Sequence, residues 1–283
     1  MNTIDEKWLN ERIRLSLEED IKSGDLTTLS TIPKDQISEA KLIAKSDGIF
    51  CGRDVADAVL KYFDKSLSFD WKVKDGDQVS HKMVLGSFRG NTQILLQAER
   101  TLLNLIQRMS GIATATFGYA SKIKHTRCRV LDTRKTMPLW RDIDKYAVVC
   151  GGGTNHRIGL YDMVLIKDNH IAAAGSITKA VESVQNYLKI HNINVQIEVE
   201  VKNAAELDES LKLVGIDRIL LDNMTIEQLR SCVETVNGRV ALEASGNINS
   251  ETIVSVAETG VDYASVGSLT HSVKAMDISL LIN

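Results

Sequence analysis

The sequence predicts an α/β protein whose C-terminal part is a parallel β/α barrel, with an open doubly wound sheet as the other possible closure. Three observations carry this prediction. From Arg129 onward, apolar β-rich segments alternate with amphipathic helical stretches. The last four strand segments recur roughly every 22 residues, the length of one strand–loop–helix–loop unit. Every one of these strand segments ends in polar residues. Strands that read as apolar runs between helices are buried on both faces, which implies a parallel sheet. The polar strand ends favour barrel closure, because the C-terminal ends of barrel strands converge on one face where catalytic groups gather.

In chain order, residues 6–19 place Leu9, Ile13 and Leu17 at helical spacing with charges between them. Ser23-Gly24-Asp25-Leu26-Thr27-Thr28 reads as a turn followed by polar β-formers. Residues 40–44 and 67–73 read as strands, and Asp75-Gly76-Asp77 as a turn. Residues 92–109 return to helix, with Leu95, Leu96, Leu102, Leu103 and Ile106 as the apolar stripe. Strands are then expected at 130–131, 163–166, 195–201, 218–221, 240–242 and 263–266. Helices are expected at 177–188, 204–213, 226–236 and 250–258, and Gly151-Gly152-Gly153 is expected to end a helix through 145–149.

With 283 residues, 43% of them hydrophobic, the chain can bury a sizeable core. A net charge of −3 argues against bulk electrostatic binding to nucleic acid or an anionic membrane. Any positive charge that matters must be local. Cys51, Cys128, Cys150 and Cys232 form no C-x-x-C pair and read as reduced thiols of a cytoplasmic protein. Residues 1–7 lack the basic and apolar segments of a secretory leader, and no run is long enough to span a bilayer.

The chemistry-bearing residues cluster at the strand ends. Arg134, Lys135 and Lys167 stand where burial is costly unless an anion meets them, and His156 and Arg157 lie in the loop between. Together they suit several carboxylates or phosphates, although an ordinary salt bridge explains any one of them alone. Glu200 and Asp222 end neighbouring strands and are expected to face one cavity. Carboxylates beside a polyanion site repel it unless a divalent cation bridges them, which points to Mg2+. Ser245-Gly246 and Gly267-Ser268 follow the last strands, where exposed backbone N–H groups make a phosphate cradle. Lys135 and Lys167 also admit a Schiff-base lyase as a rival reading.

These residues fall in longer motifs. Glu99-Arg100-Thr101-Leu102-Leu103-Asn104, Asp132-Thr133-Arg134-Lys135-Thr136, Asn155-His156-Arg157 and Leu165-Ile166-Lys167-Asp168-Asn169-His170 succeed one another along the chain. Glu198-Val199-Glu200-Val201, Leu221-Asp222-Asn223, Glu243-Ala244-Ser245-Gly246 and Val266-Gly267-Ser268 follow in turn. In this order they resemble the quinolinate phosphoribosyltransferases, the carboxylating nicotinate-nucleotide pyrophosphorylases. The resemblance spans nearly the whole chain. It implies an incomplete (β/α) TIM-like barrel with an N-terminal α/β sandwich domain, divided as residues 1–112, 113–270 and a C-terminal segment, 271–283, returning to the first domain.

The resemblance also implies phosphoribosyl transfer from 5-phosphoribosyl 1-pyrophosphate (PRPP) to quinolinate with loss of CO2. On that reading Arg100 enters the site of a homodimer partner. Quinolinate is held by Arg134, His156, Arg157, Lys167 and that arginine. Lys135 faces pyrophosphate or the reacting centre, Glu200 and Asp222 bind Mg2+, and Ser245, Gly246, Gly267 and Ser268 hold the 5-phosphate. One departure stands out. After Thr-Arg-Lys-Thr the family commonly has threonine, proline and glycine, whereas this chain has Met137-Pro138-Leu139.

Overall fold

The computed structural model describes residues 4–282, so the first three residues of the segment read for a leader, and the last residue of the chain, lie outside it. The described residues fall into two compact units. One comprises the segments up to Phe117, Thr136–Gly152 and from Leu269 on; the other comprises Gly118–Lys135 and Gly153–Ser268. Relative to a linear division at 112 and 270, the first unit thus also takes in Thr136–Gly152.

In the first unit, the helix Glu6–Ile21 starts where the Asp5 carboxylate accepts from Trp8 N–H at 2.6 Å, and it buries Leu9, Ile13 and Leu17. The expected β-formers after Gly24 are instead a second helix, Leu26–Thr31. Asp25 caps it by accepting from Thr28 N–H at 3.0 Å, and that cap outweighs the β-propensity of the threonines. An antiparallel sheet has the strand order Ile278–Ile282, Ile37–Ala44, Val84–Asn91, Asp70–Trp71. Strict alternation of exposed and buried residues along Ile37–Ala44 marks one face on the core. Of the strand expected at 67–73 only Asp70–Trp71 forms, because Phe69 N–H donates to the Asp57 carboxylate rather than to a ladder; that carboxylate also accepts from the Trp71 indole N–H. The following helix, Thr92–Lys122, runs for 31 residues, well past the expected end at 109.

In the second unit, six parallel strands follow the order Arg129–Leu131, Tyr263–Ser265, Ala241–Ser245, Arg218–Asp222, Gln196–Val201, Met163–Ile166. Each strand after the second joins the growing edge, and the last reaches the first. A doubly wound sheet would instead begin centrally and grow both ways. The first and second strands do not pair, so the barrel is incomplete. The helix expected at 250–258 shortens to Ile253–Ala257, because the Asn249 carboxamide accepts from Glu251 and Thr252 N–H and holds a turn there. Among the described residues no helix is long and apolar enough to cross a membrane.

Candidate active site

Alternation along the barrel strands sends every second side chain inward, and several of these are charged. Glu198 and Glu243 are fully buried on neighbouring sides of the strand Arg218–Asp222. His156 Nε2 lies 2.9 Å from Glu198 Oε2 and 3.5 Å from Glu243 Oε2. At 2.9 Å the imidazole and the Glu198 carboxylate lie within ion-pair range, and a side-chain hydrogen bond between Glu198 and Glu243 opposes the effect of burial on Glu198. Arg218 Nη1 donates to Glu243 Oε2 at 2.9 Å while its guanidinium stacks on Tyr263, and Ser265 Oγ donates to Glu243 Oε1. Burial, and next the charge of Glu198, push the Glu243 carboxyl up to about 7; burial likewise raises Glu198.

His156 is therefore turned into the barrel, with 9% of its surface exposed. Its Nδ1 accepts from the Arg157 backbone N–H at 2.7 Å, and the His156 backbone N–H donates to Asp132 Oδ1 at 2.9 Å. Both ring nitrogens face protein groups. The arginine beside it is half-buried, and its Nη1 donates to the Met163 carbonyl at 3.1 Å. Desolvation, and next the charge of Arg134, draw the Arg157 guanidinium below its ordinary value. Two guanidiniums that repel one another near the strand ends favour a ligand with more than one negative charge.

Around the strand ends, Lys167 Nζ pairs with Glu200 Oε2 at 2.8 Å; the lysine is half-exposed and the glutamate buried. Lys202 Nζ pairs with Asp168 Oδ2 at 2.8 Å, and Glu200 and Asp222 add to the negative field that raises its pKa. Asp222 Oδ2 accepts from Asn223 Nδ2 at 2.9 Å. Paired and half-exposed, Lys167 differs from the desolvated lysine of a Schiff-base enzyme. Arg134 and Lys135 are exposed on the loop after Arg129–Leu131, where Lys135 N–H donates to Thr133 Oγ1.

The loop after Ala241–Ser245 requires its glycine. Gly246 has φ +101°, and a Cβ there would collide with Asn223 Oδ1. The Asn223 N–H donates to the Ser245 carbonyl at 2.9 Å, which ties this loop to the one bearing Asp222. Gly267 and Ser268 end the last barrel turn, Ser268 opening the short helix Ser268–His271. The second unit thus carries Arg134, Lys135, His156, Arg157, Lys167, Glu200, Asp222, Ser245, Gly246, Gly267 and Ser268, whereas Arg100 is exposed on Thr92–Lys122 in the first. Sequence reasoning passed over Glu243, Arg218, Ser265 and Lys202. Period-two alternation from Ser245 and Asp222 points to the first two, since each lies an even number of residues upstream on the same face.

Two family models cover most of the chain: the quinolinate phosphoribosyl transferase N-terminal domain over residues 25–110 and the C-terminal domain over residues 112–281. A chloroplastic nicotinate-nucleotide pyrophosphorylase [carboxylating] of Arabidopsis thaliana is 46% identical over 286 residues, spanning 96% of this chain and 82% of that protein. A probable nicotinate-nucleotide pyrophosphorylase [carboxylating] of Bacillus subtilis is 41% identical over 93% of this chain and 89% of its own length. The solved nicotinate-nucleotide pyrophosphorylase of Francisella tularensis superposes with a TM-score of 0.91 at 40% identity, covering 100% of this chain and 98% of that one.

Proposed function

Since the chain belongs to the quinolinate phosphoribosyltransferase family, we propose that it transfers the phosphoribosyl group of PRPP to quinolinate, giving nicotinate mononucleotide, pyrophosphate and CO2. The observation that carries this reading is the segregation of charge at the strand ends. Arg134 is close enough to Arg157 for its charge to lower that guanidinium's pKa, while Glu200 and Asp222 end adjacent strands. A dicarboxylate is the ligand that relieves the arginine repulsion. Lys167 then reaches the same ligand from across the cleft.

The residues perform the reaction by positioning and electrostatics rather than by a protein nucleophile. Arg134, Arg157 and Lys167 hold the two carboxylates and so aim the pyridine nitrogen at the anomeric carbon. His156 acts from beneath, through Arg157. Lys135 meets the pyrophosphate as its bond to that carbon breaks. Ser245, Gly246, Gly267 and Ser268 receive the 5-phosphate. Once the ring nitrogen is cationic, its charge stabilises the electron pair left on the adjacent ring carbon when the 2-carboxylate departs as CO2, and that pair then takes up a proton.

The acidic pair suits Mg2+, which favours one or two carboxylates and completes its shell with water and substrate phosphates. Bound by Glu200 and Asp222, it would offset charge on the donor's pyrophosphate. We also place Arg100 of the partner subunit in this site, in a homodimer, because it is an exposed cation on a helix of the first unit. A cytoplasmic location is the reading supported by four free thiols.

Purified protein given quinolinate, PRPP and Mg2+ should release pyrophosphate and CO2 in equal amounts. Folded protein that releases neither would overturn the assignment. Lys135→Ala should keep the circular dichroism spectrum and lose at least a hundredfold in turnover, on the order of 3 kcal/mol of transition-state stabilisation.

A further inference from the structure

Two thiols meet in the first unit. Cys51 follows the short strand Gly48–Ile49 and is buried, whereas Cys150 ends the helix Arg141–Cys150 and is half-buried. Their sulfurs and a carboxylate oxygen of Asp75 all lie within 4.8 Å of one another. Such a trio could hold a soft metal ion, but Asp75 is committed elsewhere. Its Oδ1 accepts from Gly52 N–H at 2.9 Å and Arg53 N–H at 3.1 Å, and its Oδ2 from the Tyr146 hydroxyl at 2.8 Å. What remains is a pair of sulfurs brought together from segments far apart in sequence.

The two thiols are not equivalent. A hydrogen bond from Cys51 holds the Cys150 thiol below its ordinary value, with Tyr146 adding to the effect, while burial pushes Cys51 well up. The more acidic sulfur is also the more accessible one. Tyr146, one turn before Cys150, lines a cavity of about 880 Å³ together with Leu9, Ile13, Asp54, Asp57 and Tyr62. Tyr146, whose hydroxyl bears on Cys150, is the side chain that stands between that cavity and the thiols.

We propose that Cys51 and Cys150 form an oxidation site at which a hydroperoxide converts the two thiols to a disulfide. Cys150 sulfur attacks one peroxide oxygen; the O–O bond breaks and the other oxygen leaves as water or an alcohol. Cys51 sulfur then attacks the sulfenic acid so formed, the S–O bond breaks, and water leaves. The two thiols give up two electrons and two protons, and the hydroperoxide takes both.

The test is treatment of the full-length protein with one equivalent of hydrogen peroxide, followed by intact mass and non-reducing peptide mapping. The protein should lose the mass of two hydrogens and yield one cross-linked peptide pair, Cys51 with Cys150, reversed by dithiothreitol. Its midpoint in urea should rise, because the cross-link closes a loop of about a hundred residues. Cys51→Ser should stop at a sulfenic acid on Cys150 that dimedone traps, and Cys150→Ser should give neither product. Both variants should retain wild-type turnover in reducing buffer; where serine impairs folding, Cys51→Ala and Cys150→Ala replace them. A protein that forms no cross-link, cross-links through Cys128 or Cys232, or is first oxidised at Cys51 would refute the assignment.

Discussion

Replacing Glu243 by glutamine tests whether the barrel interior carries a shared proton. The Glu243 carboxyl, ordinarily near 4.5, is pushed up to about 7 by burial first and by Glu198 second. The folded protein therefore holds that proton more tightly than the unfolded chain does. Its contribution to stability is fully present below pH 4.5 and is lost as pH rises through about 7. At about 1.4 kcal/mol per pH unit, the interval corresponds to roughly 3 kcal/mol, belonging to the Glu198–Glu243 pair rather than to one residue.

Glutamine keeps the shape, still accepts from Ser265 and cannot ionise. The stability of Glu243→Gln minus that of wild type should therefore climb by roughly 3 kcal/mol between pH 4.5 and 7.5. Urea unfolding across that range measures the difference. Far-UV circular dichroism is the appropriate signal, because Trp8, Trp71 and Trp140 all lie in the first unit. Parallel pH curves for the two proteins would refute the reasoning.

Three further outcomes are expected. Leu139, where the family commonly has glycine, is held at φ 69° and is 62% exposed; Leu139→Gly should exceed Leu139→Ala in stability by about 1 kcal/mol, reversing their order at an ordinary loop position, and chemical denaturation compares them directly. Glu200→Gln releases Lys167 from its ion pair, so it should bind quinolinate at least as tightly as wild type by calorimetry while losing turnover and its response to added Mg2+; weakened quinolinate binding would argue against Lys167 as a carboxylate ligand. Arg100→Ala and Lys135→Ala proteins, each inactive alone, should regain about a quarter of wild-type activity when mixed and allowed to exchange subunits, since one site in each mixed dimer is intact; no regain would remove Arg100 from the partner's site.

The barrel was legible because its strands are short apolar runs whose polar ends recur at a fixed interval, and Met163–Ile166 falls at the expected residues. Elements set by one side chain capping a backbone were not. Nothing in the propensity of Leu26-Thr27-Thr28 announces a helix until Asp25 is seen to take the Thr28 N–H. The same holds where Asn249 shortens Ile253–Ala257. At the site, Lys167 and Glu200 were legible as strand-end residues, and the structure pairs them. The inward turn of His156 was not, because a loop has no periodicity from which to read direction. Leu139 shows the reverse case: its departure from the family pattern was visible in sequence, and its left-handed backbone gives that departure a physical cost.

A complete eight-stranded barrel fills its interior with layers of branched apolar side chains. Here six strands enclose Arg218, Glu243, Glu198, Ser265 and His156, a polar set whose desolvation is offset by its contacts with one another and with Tyr263, Asp132 and Arg157. What that set supports explains its place. Glu198 and Glu243 face His156 Nε2, Asp132 accepts the His156 N–H, and His156 Nδ1 accepts the Arg157 N–H. Arg157 is then fastened a second time, through Nη1 to the Met163 carbonyl. Its guanidinium is therefore ordered in advance, so on the proposed function less of the binding energy of a dicarboxylate would be consumed in arranging it. On the proposed function, the buried acids and the cations above them are then consecutive layers of one site, the lower fixing the geometry that the upper would use.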